Sequence, residues 1–257
     1  MLRGKVLAGD MAVLARSVLV TGSSRGIGLE LVRQLAASPR PPQHIFATCR
    51  DPEGPRGKAL QELAAQHSSI KLVQLVNLPS IQRAMQAVGN HLKDQGLNLL
   101  INNAGISSHA TLCSLDSQEM LDVFATNVVG PLQEFLPLLE QAAKEEGKEG
   151  LSCSRAAVIN ISSKLGSIGL WEVLEMLSQA AQNMVTRCLA AELQDKGILC
   201  VAIHPGWVKT DMGTEEVLGC APLTVEHSVR GILTVLASLS QDTSGAFLDW
   251  EGNSLPW

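Results

Sequence analysis

The chain has 257 residues, with 20 Lys and Arg against 25 Asp and Glu, a formal net charge of -5 and 46% hydrophobic residues. That is enough apolar material for a substantial core, and a charged fraction of 18% is too low for a disordered solvating chain. Mild acidity gives no electrostatic reason to bind nucleic acid or an anionic membrane, and no apolar run reaches the ~18 residues of a spanning helix.

In chain order, Ser17 to Thr21 reads as a short apolar strand and Gly22 to Gly28 as a glycine-rich turn. Ile27 to Ala37 has helical periodicity, with Leu29, Leu31, Val32 and Leu35 on one face, and Pro39, Pro41 and Pro42 end it. His44 to Cys49 is a second strand, Ala59 to His67 a helix and Lys71 to Val76 a third strand. Ser80 is placed to cap a helix reaching about Asp94, and Leu97 to Ile101 is a fourth strand that stops at Asn102-Asn-Ala-Gly105. A long helical stretch begins near Asp116 and must bend or break to accommodate Pro131 and Pro137. Lys144 to Gly150 reads as a loop, Ala156 to Ile161 as a fifth strand and Glu172 to Asp195 as a helix. Ile198 to Ile203 is a sixth strand stopped by Pro205-Gly206, Thr224 to Leu239 is helical, and Ala246 to Trp250 is a last strand.

Short apolar strands alternating with helices predict one doubly wound α/β domain of Rossmann type, its mostly parallel sheet covered on both faces. A closed barrel is the alternative, and the first glycine loop argues against it. The absence of Tyr excludes any mechanism that needs a phenol as acid or base. Cys49, Cys113, Cys153, Cys188, Cys200 and Cys220 form no CxxC pair and have no His at zinc spacing. Reduced, mostly buried thiols and no metal site are expected, which suits a cytoplasmic protein. Asp10 interrupts the apolar stretch near Met1, so a secretory leader is not expected; Arg3, Lys5 and Arg16 make only a weak case for a mitochondrial one.

Thr21-Gly-Ser-Ser-Arg-Gly-Ile-Gly28 joins a strand to a helix. Glycine permits the tight turn and lets backbone approach a pyrophosphate, and a helix N-terminus offers unpaired N–H groups to an anion. A dinucleotide site is therefore expected, with structural punctuation as the bland alternative. The end of the second strand reads Ala47-Thr-Cys-Arg50, without the acidic residue that binds ribose hydroxyls in NAD sites. Arg25 and Arg50 suit a ribose 2′-phosphate, so NADP(H) is expected ahead of NAD(H). Asp51 weakens that case, and either Arg could instead be a solvated surface residue.

From about Met11 to Trp257 the chain resembles the short-chain dehydrogenase/reductase family, within it the C-factor/sniffer type of carbonyl reductase. The motifs are the glycine loop, Asn102-Asn-Ala-Gly105, Asn127, Asn160-Ile-Ser-Ser163, His204-Pro-Gly-Trp-Val-Lys-Thr210 and Gly245-Ala-Phe-Leu-Asp-Trp-Glu-Gly252. Residues 1–10 look like an N-terminal extension, 11–257 the dinucleotide-binding domain, and 207–223 its substrate-covering segment. The resemblance implies a nicotinamide dinucleotide across the carboxyl ends of the strands. Thr21, Gly22, Ser24, Arg25, Gly26, Ile27 and Gly28 would meet its phosphates, and Asn102, Asn103, Ala104 and Gly105 would support the adenosine side. Pro205, Gly206, Val208 and Thr210 would lie near nicotinamide. The acidic residue that touches adenine in the family is missing from Val76-Asn77.

For catalysis the resemblance implies Asn127 as the helix-supporting Asn and Ser163 as the substrate-orienting Ser. Glu175 and Gln179 occupy the positions of the family's catalytic Tyr and ribose-holding Lys. A spacing of four puts both on one helix face. Gln179 can still hydrogen-bond ribose but supplies no cation. Glu175, with a reference pKa near 4.3, is a poor proton donor at neutral pH unless burial raises it. An ordinary polar helix side chain is the alternative for Glu175. Surface or turn roles are preferred for Lys164, Ser107 and Ser108, and His204 has no Ser/Asp partners for a triad.

The expected function is thus an NADP(H)-binding protein of this family with lost or severely reduced carbonyl reductase activity. An active carbonyl reductase with an atypical proton donor or water relay is the alternative, and a structural protein without nucleotide a third. Expected partners are a small carbonyl compound or other small ligand, with neither nucleic acid nor membrane; the apolar positions of 116–137 and 172–193 fit either pairing with a second copy or a monomer's core. Trp171 and Trp207 are either cleft or core residues, and Met212, Val217 and Leu218 line the covering segment or pack it.

Overall fold

The computed structural model describes residues 13–106, 116–129, 132–145, 147, 149–170, 177–212 and 221–257. Seven strands form one sheet: β1 (Ser17–Val20), β2 (His44–Cys49), β3 (Ile70–Gln74), β4 (Leu99–Asn102), β5 (Ala157–Ile161), β6 (Leu199–His204) and β7 (Phe247–Asp249). All six pairings are parallel, in the order β3-β2-β1-β4-β5-β6-β7. The helices are α1 (Gly26–Ala36), α2 (Lys58–Gln66), α3 (Leu78–Leu92), α4 (Ser117–Phe124), α5 (Leu132–Ala143), α6 (Leu177–Leu193) and α7 (Val225–Ser238). Parallel strands need long crossovers, and the helices supply them.

Successive strand side chains point to opposite faces, so the sheet carries two cores. On one face Val18, Val20, Ile45, Ile101, Ile159 and Val201 pack against Leu31 and Val32 of α1 and Ile232 and Leu236 of α7. On the other, Leu19, Phe46, Leu100, Val158 and Cys200 pack against Val88 of α3, Phe135 and Leu139 of α5, and Leu193 of α6. Both faces being covered explains why the strands read as nearly continuous apolar runs.

Element order and type match the sequence expectation, and the differences are at ends. Asn77, not Ser80, caps α3: its side chain accepts from Ser80 N at 3.2 Å while Ser80 Oγ accepts from Asn77 N at 2.9 Å. Pro79 fits the first turn of that helix, where no intrahelical donor is required, so α3 starts three residues early. β3 ends at Gln74 rather than Val76, because Val76 N donates to Ser80 Oγ and joins this cap. Leu97 is not part of β4; its N–H donates to Leu138 O of α5. The long helix breaks at a π-helical segment, Ala125–Val129, and α5 then continues through the exposed Pro137. Pro131 lies outside the described residues.

The thiols of Cys49, Cys153 and Cys200 are buried as expected, but Cys188 is exposed on α6. Burial pushes Cys153 and Cys200 up to about 12, so both stay protonated thiols. Cys113 and Cys220 lie outside the described residues. No described helix is long and apolar enough to cross a membrane.

Candidate active site

The strand order reverses between β1 and β4, which opens a crevice at their carboxyl ends. Thr21 closes β1 there by donating its N–H to Ile101 O at 3.0 Å. Thr21 Oγ1 accepts from the backbone N–H groups of Asn103 and Ala104, each at 2.9 Å. Asn103 Nδ2 donates back to Thr21 O at 2.9 Å and Gly22 O at 3.3 Å. The Asn103 amide therefore holds the glycine loop against the end of β4.

Gly22 has φ +67°, and a Cβ on it would lie 2.9 Å from Ala104 Cα. A Cβ on Gly28 would lie 2.2 Å from Gly22 O and 2.6 Å from Asn103 Nδ2. No side chain fits either position, so the loop stays a bare backbone cradle. α1 begins at Gly26 with no side-chain cap from Arg25, so its first N–H groups face the crevice without one. Ile27 packs against the core, and Ser24 is half-buried. Ser23 fixes the loop from below, its N–H donating to Thr48 O at 2.8 Å and its Oγ to Val20 O at 2.8 Å.

Asn102 and Asn160, at the ends of β4 and β5, are joined by Asn102 Nδ2 donating to Asn160 Oδ1 at 2.9 Å. Asn160 Nδ2 donates to Thr186 Oγ1 of α6 at 2.8 Å, and Ser162 Oγ to Asn183 Oδ1 at 2.6 Å. These bonds fasten α6 to the sheet beside the crevice. Ser163 is half-buried, and its Oγ accepts from Leu165 N at 3.2 Å, capping a 3-10 turn over Lys164–Gly166. Among the described residues its hydroxyl proton has no acceptor. Gly166 presses on α6 so closely that a Cβ there would lie 2.7 Å from Gln179 Cβ. The Ser163 turn and Gln179 are thus neighbours.

Gln179 Oε1 is enclosed and finds no hydrogen-bond partner among the described residues. An orphan acceptor of this kind in a native site wants a donor. Asn127 sits in the π-helical segment, a type of distortion common at functional sites. Its Oδ1 accepts from Ile106 N at 2.9 Å, and its Nδ2 donates to Ile106 O at 2.9 Å and Ser178 Oγ at 3.0 Å. It ties the loop after β4 to the start of α6. Glu175, Trp171, Ser107, Ser108, Val217 and Leu218 lie outside the described residues.

After β6, Ser228 Oγ of α7 donates to Pro205 O at 2.6 Å. Val208 is buried and bridges to Leu223 in parallel register. Gly206 has φ +84°, and a Cβ there would strike Leu223 and Trp250. Thr210 arches over the glycine loop, its Cγ2 being 3.4 Å from where a Gly26 Cβ would be. His204 is pushed down to about 4, by burial first and by the nearby Lys164 charge second, with Asp249 opposing. It is neutral at pH 7, and its Nδ1 has no partner among the described residues.

Arg25 is ion-paired with Asp211, joining the glycine loop to the segment after β6. With Arg56 they line a hollow of about 400 Å3. Arg50 is exposed at the end of β2 and is not part of that described lining; its carbonyl accepts from Gln74 Nε2 at 3.1 Å. Trp207 is 37% exposed, which rules out the core reading. Ile106, Ile168, Leu170 and Met212 are likewise exposed apolar residues, in the loops after β4, β5 and β6. Three groups escaped sequence reasoning: Arg56, the orphan His204 Nδ1 and Gln182. Gln182 is 5% exposed, and its Oε1 has no partner among the described residues. Polar residues repeating every four along α6, Ser178, Gln182 and Thr186, were the available signal.

The short chain dehydrogenase family model matches residues 16–219. The chain belongs to this family. Among relatives of this short-chain dehydrogenase, C-signal of Myxococcus xanthus is 33% identical over 181 residues, covering 67% of this chain and all of that one. A crystal structure of NADPH-bound carbonyl reductase from chicken fatty liver superposes with a TM-score of 0.90 at 47% identity, covering 95% of this chain and 94% of that one. Carbonyl reductase Sniffer of D. melanogaster gives 0.88 at 40% identity, covering 95% and 100%. Within this short-chain dehydrogenase, the glycine loop lies at the crevice between β1 and β4 and Ser163 in the turn after β5. The described residues hold no group of three or more His, Cys, Asp or Glu able to bind a metal.

Proposed function

We propose that this short-chain dehydrogenase binds NADP(H) and has lost, or nearly lost, ordinary carbonyl reductase turnover. The carrying observation is the complete absence of Tyr, together with Gln179 where the family places its ribose-holding Lys. The residues present fit the dinucleotide: the side-chain-free cradle at Gly22 and Gly28 accepts a pyrophosphate, and the orphan Gln179 Oε1 accepts a ribose hydroxyl. The NADPH-bound chicken reductase and the arginines at 25 and 50 support the phosphorylated form.

Bound nicotinamide would supply a hydride. Ser163 holds a carbonyl oxygen with its free hydroxyl proton, and Asn127 keeps the loop after β4 and α6 in register. Neutral His204, fully charged only below pH 4, supplies no proton at pH 7. Gln179 brings no cation to stabilise an anionic base. In the sequence Glu175 takes the position of the family's proton donor, and a carboxylate there would deliver no proton to an alkoxide. The ligand is small and carbonyl-like, and the exposed apolar residues Ile106, Ile168, Trp207 and Met212 suit its non-polar part. Exposed Met120, Leu121 and Phe124 on α4 and Met184 on α6 support pairing of two copies through these helices.

The purified chain is assayed with NADPH and a panel of aldehydes and ketones while cofactor binding is measured in parallel. The expected turnover is roughly 10²–10⁴-fold below that of a reductase with its general acid in place. Glu175→Tyr with Gln179→Lys restores part of it. Robust saturable turnover by the natural chain, lost in Glu175→Ala with NADPH still bound, replaces this reading with an active reductase that uses Glu175. The intact Asn127 and Ser163 contacts are what favour that second reading.

A further inference from the structure

The sheet ends at β3, and no described strand lies beyond it. Ser69 O accepts from Ile45 N and Leu75 N donates to Cys49 O, each at 2.9 Å, so both groups turn toward β2. With the two-residue period of a strand, Lys71 and Val73 do the same, and the N–H and C=O groups of Leu72 and Gln74 point outward. α3 flanks this edge, sharing a core with Val73 through Ile81, Ala84 and Val88. Between the two lies an open groove of about 430 Å3. Val73, Ala84 and Ala87 line it together with three basic side chains, Lys71, Arg83 and His91, and the described lining holds no carboxylate. His44, at the start of β2, has its pKa lowered by burial first and then by His91, Lys71 and Arg16. Positive charge thus collects along this edge of a chain whose formal net charge is -5.

An unpaired strand edge is a template for another strand, and a single Lys on it is a common guard. Here Lys71 of the strand is joined by Arg83 and His91, which the helical spacing places with Ala87 on one face of α3. We propose that this edge binds an extended acidic segment of another protein, which adds to the sheet beside β3. Its backbone pairs with the outward groups of Leu72 and Gln74, and alternate side chains, about 7 Å apart, turn toward α3. Carboxylates at those positions meet Lys71 and Arg83, with Val73, Ala84 and Ala87 as apolar contacts between them. A second copy of this chain is a poor occupant, because pairing β3 with β3 brings two sets of these cations together. None of the groove residues belongs to the crevice, so the proposal does not depend on the cofactor reading.

The probe is a fluorescein-labelled peptide of alternating Glu and Val, about eight residues long, titrated by anisotropy against the full chain at about 0.15 M salt. Binding at about 10–100 μM is expected, roughly tenfold tighter than the same peptide with Gln in place of Glu. Lys71→Glu with Arg83→Glu should abolish it and bind a peptide of alternating Lys and Val instead. Gln74→Pro removes one outward donor and keeps the β2 pairing, so it should weaken the acidic peptide about fivefold, while Gln74→Ala should not. Bound peptide should slow hydrogen exchange of the Leu72 and Gln74 amides about tenfold. A thermal melt shows that each variant folds; should Gln74→Pro not fold, amide exchange in the natural chain decides. No binding up to about 1 mM, equal binding of the Glu and Gln peptides, or a charge reversal without effect overturns the site. Binding that leaves both amides unprotected, or a folded Gln74→Pro with full affinity, overturns the added strand.

Discussion

At the mouth of β1 and β4, Thr21, Gly22, Asn103 and Ala104 pair with one another, so the cradle is held without outside help. At the mouth of β5 and β6, Gln179 Oε1 and His204 Nδ1 are enclosed without partners among the described residues. Both regions hang on the same sheet, and strand pairing is regular through each. The difference teaches that the fold's demand for a rigid crevice was met separately from the demand for chemistry. In the second region these polar atoms are without partners among the described residues, while hydrogen bonds through Asn160 and Ser162 fasten α6.

The strongest break in this comparison is predicted for acid. Unfolded, His204 takes up a proton near pH 6.5; folded, only near pH 4. Between these values the unfolded chain binds more protons, so stability falls as the pH drops through that window and levels off below it. The loss reaches about 3 kcal/mol for this ring. Urea unfolding at pH 7 and pH 4.5 should show a smaller loss in His204→Asn than in the natural chain. Equal losses would remove His204 from the account and leave the second region no less acid-stable than the first.

Next in size is Gly28→Ala. The added Cβ has no room between Gly22 O and Asn103 Nδ2, so the loop must shift. NADPH affinity should fall about a hundredfold, with the melting temperature lowered as well. Undiminished affinity in a calorimetric titration would mean that the cradle is not where the pyrophosphate sits.

The smallest effect sharpens the comparison from the other side. Gln179→Lys exchanges an orphan carbonyl oxygen for a cation with three donors. NADPH should bind about threefold to tenfold tighter, since a charged hydrogen bond replaces a neutral one. On the function proposed above turnover should stay low, because this change adds no proton donor. A gain in turnover without a gain in affinity would show that the cation, not the donor, was the lost element.

Much of this was legible along the chain. The strand core from Val18 to Val20, the glycine loop and the capped α7 declare themselves through local periodicity and short-range turn chemistry. Boundaries were less legible where side chains from a few residues away competed, as when Asn77 rather than Ser80 took the α3 cap. Sequence pointed to Arg25 and Arg50 for the phosphate, yet Arg56 shares the Arg25 hollow. Nothing in the local sequence says that the turn after β2 folds back on the glycine loop.

The sequence by itself determined the period of each element, the place of the glycine loop between a strand and a helix, and the absence of any phenol. Those are properties of single residues and their near neighbours. Tertiary structure alone decided that Asp211 would meet Arg25 across 186 residues, that Gly166 would press Ser163's turn onto Gln179, and that His204 would lose its proton to burial. Each depends on which strands lie side by side, because desolvation and charge pairing act over distances in space and take no account of distance along the chain.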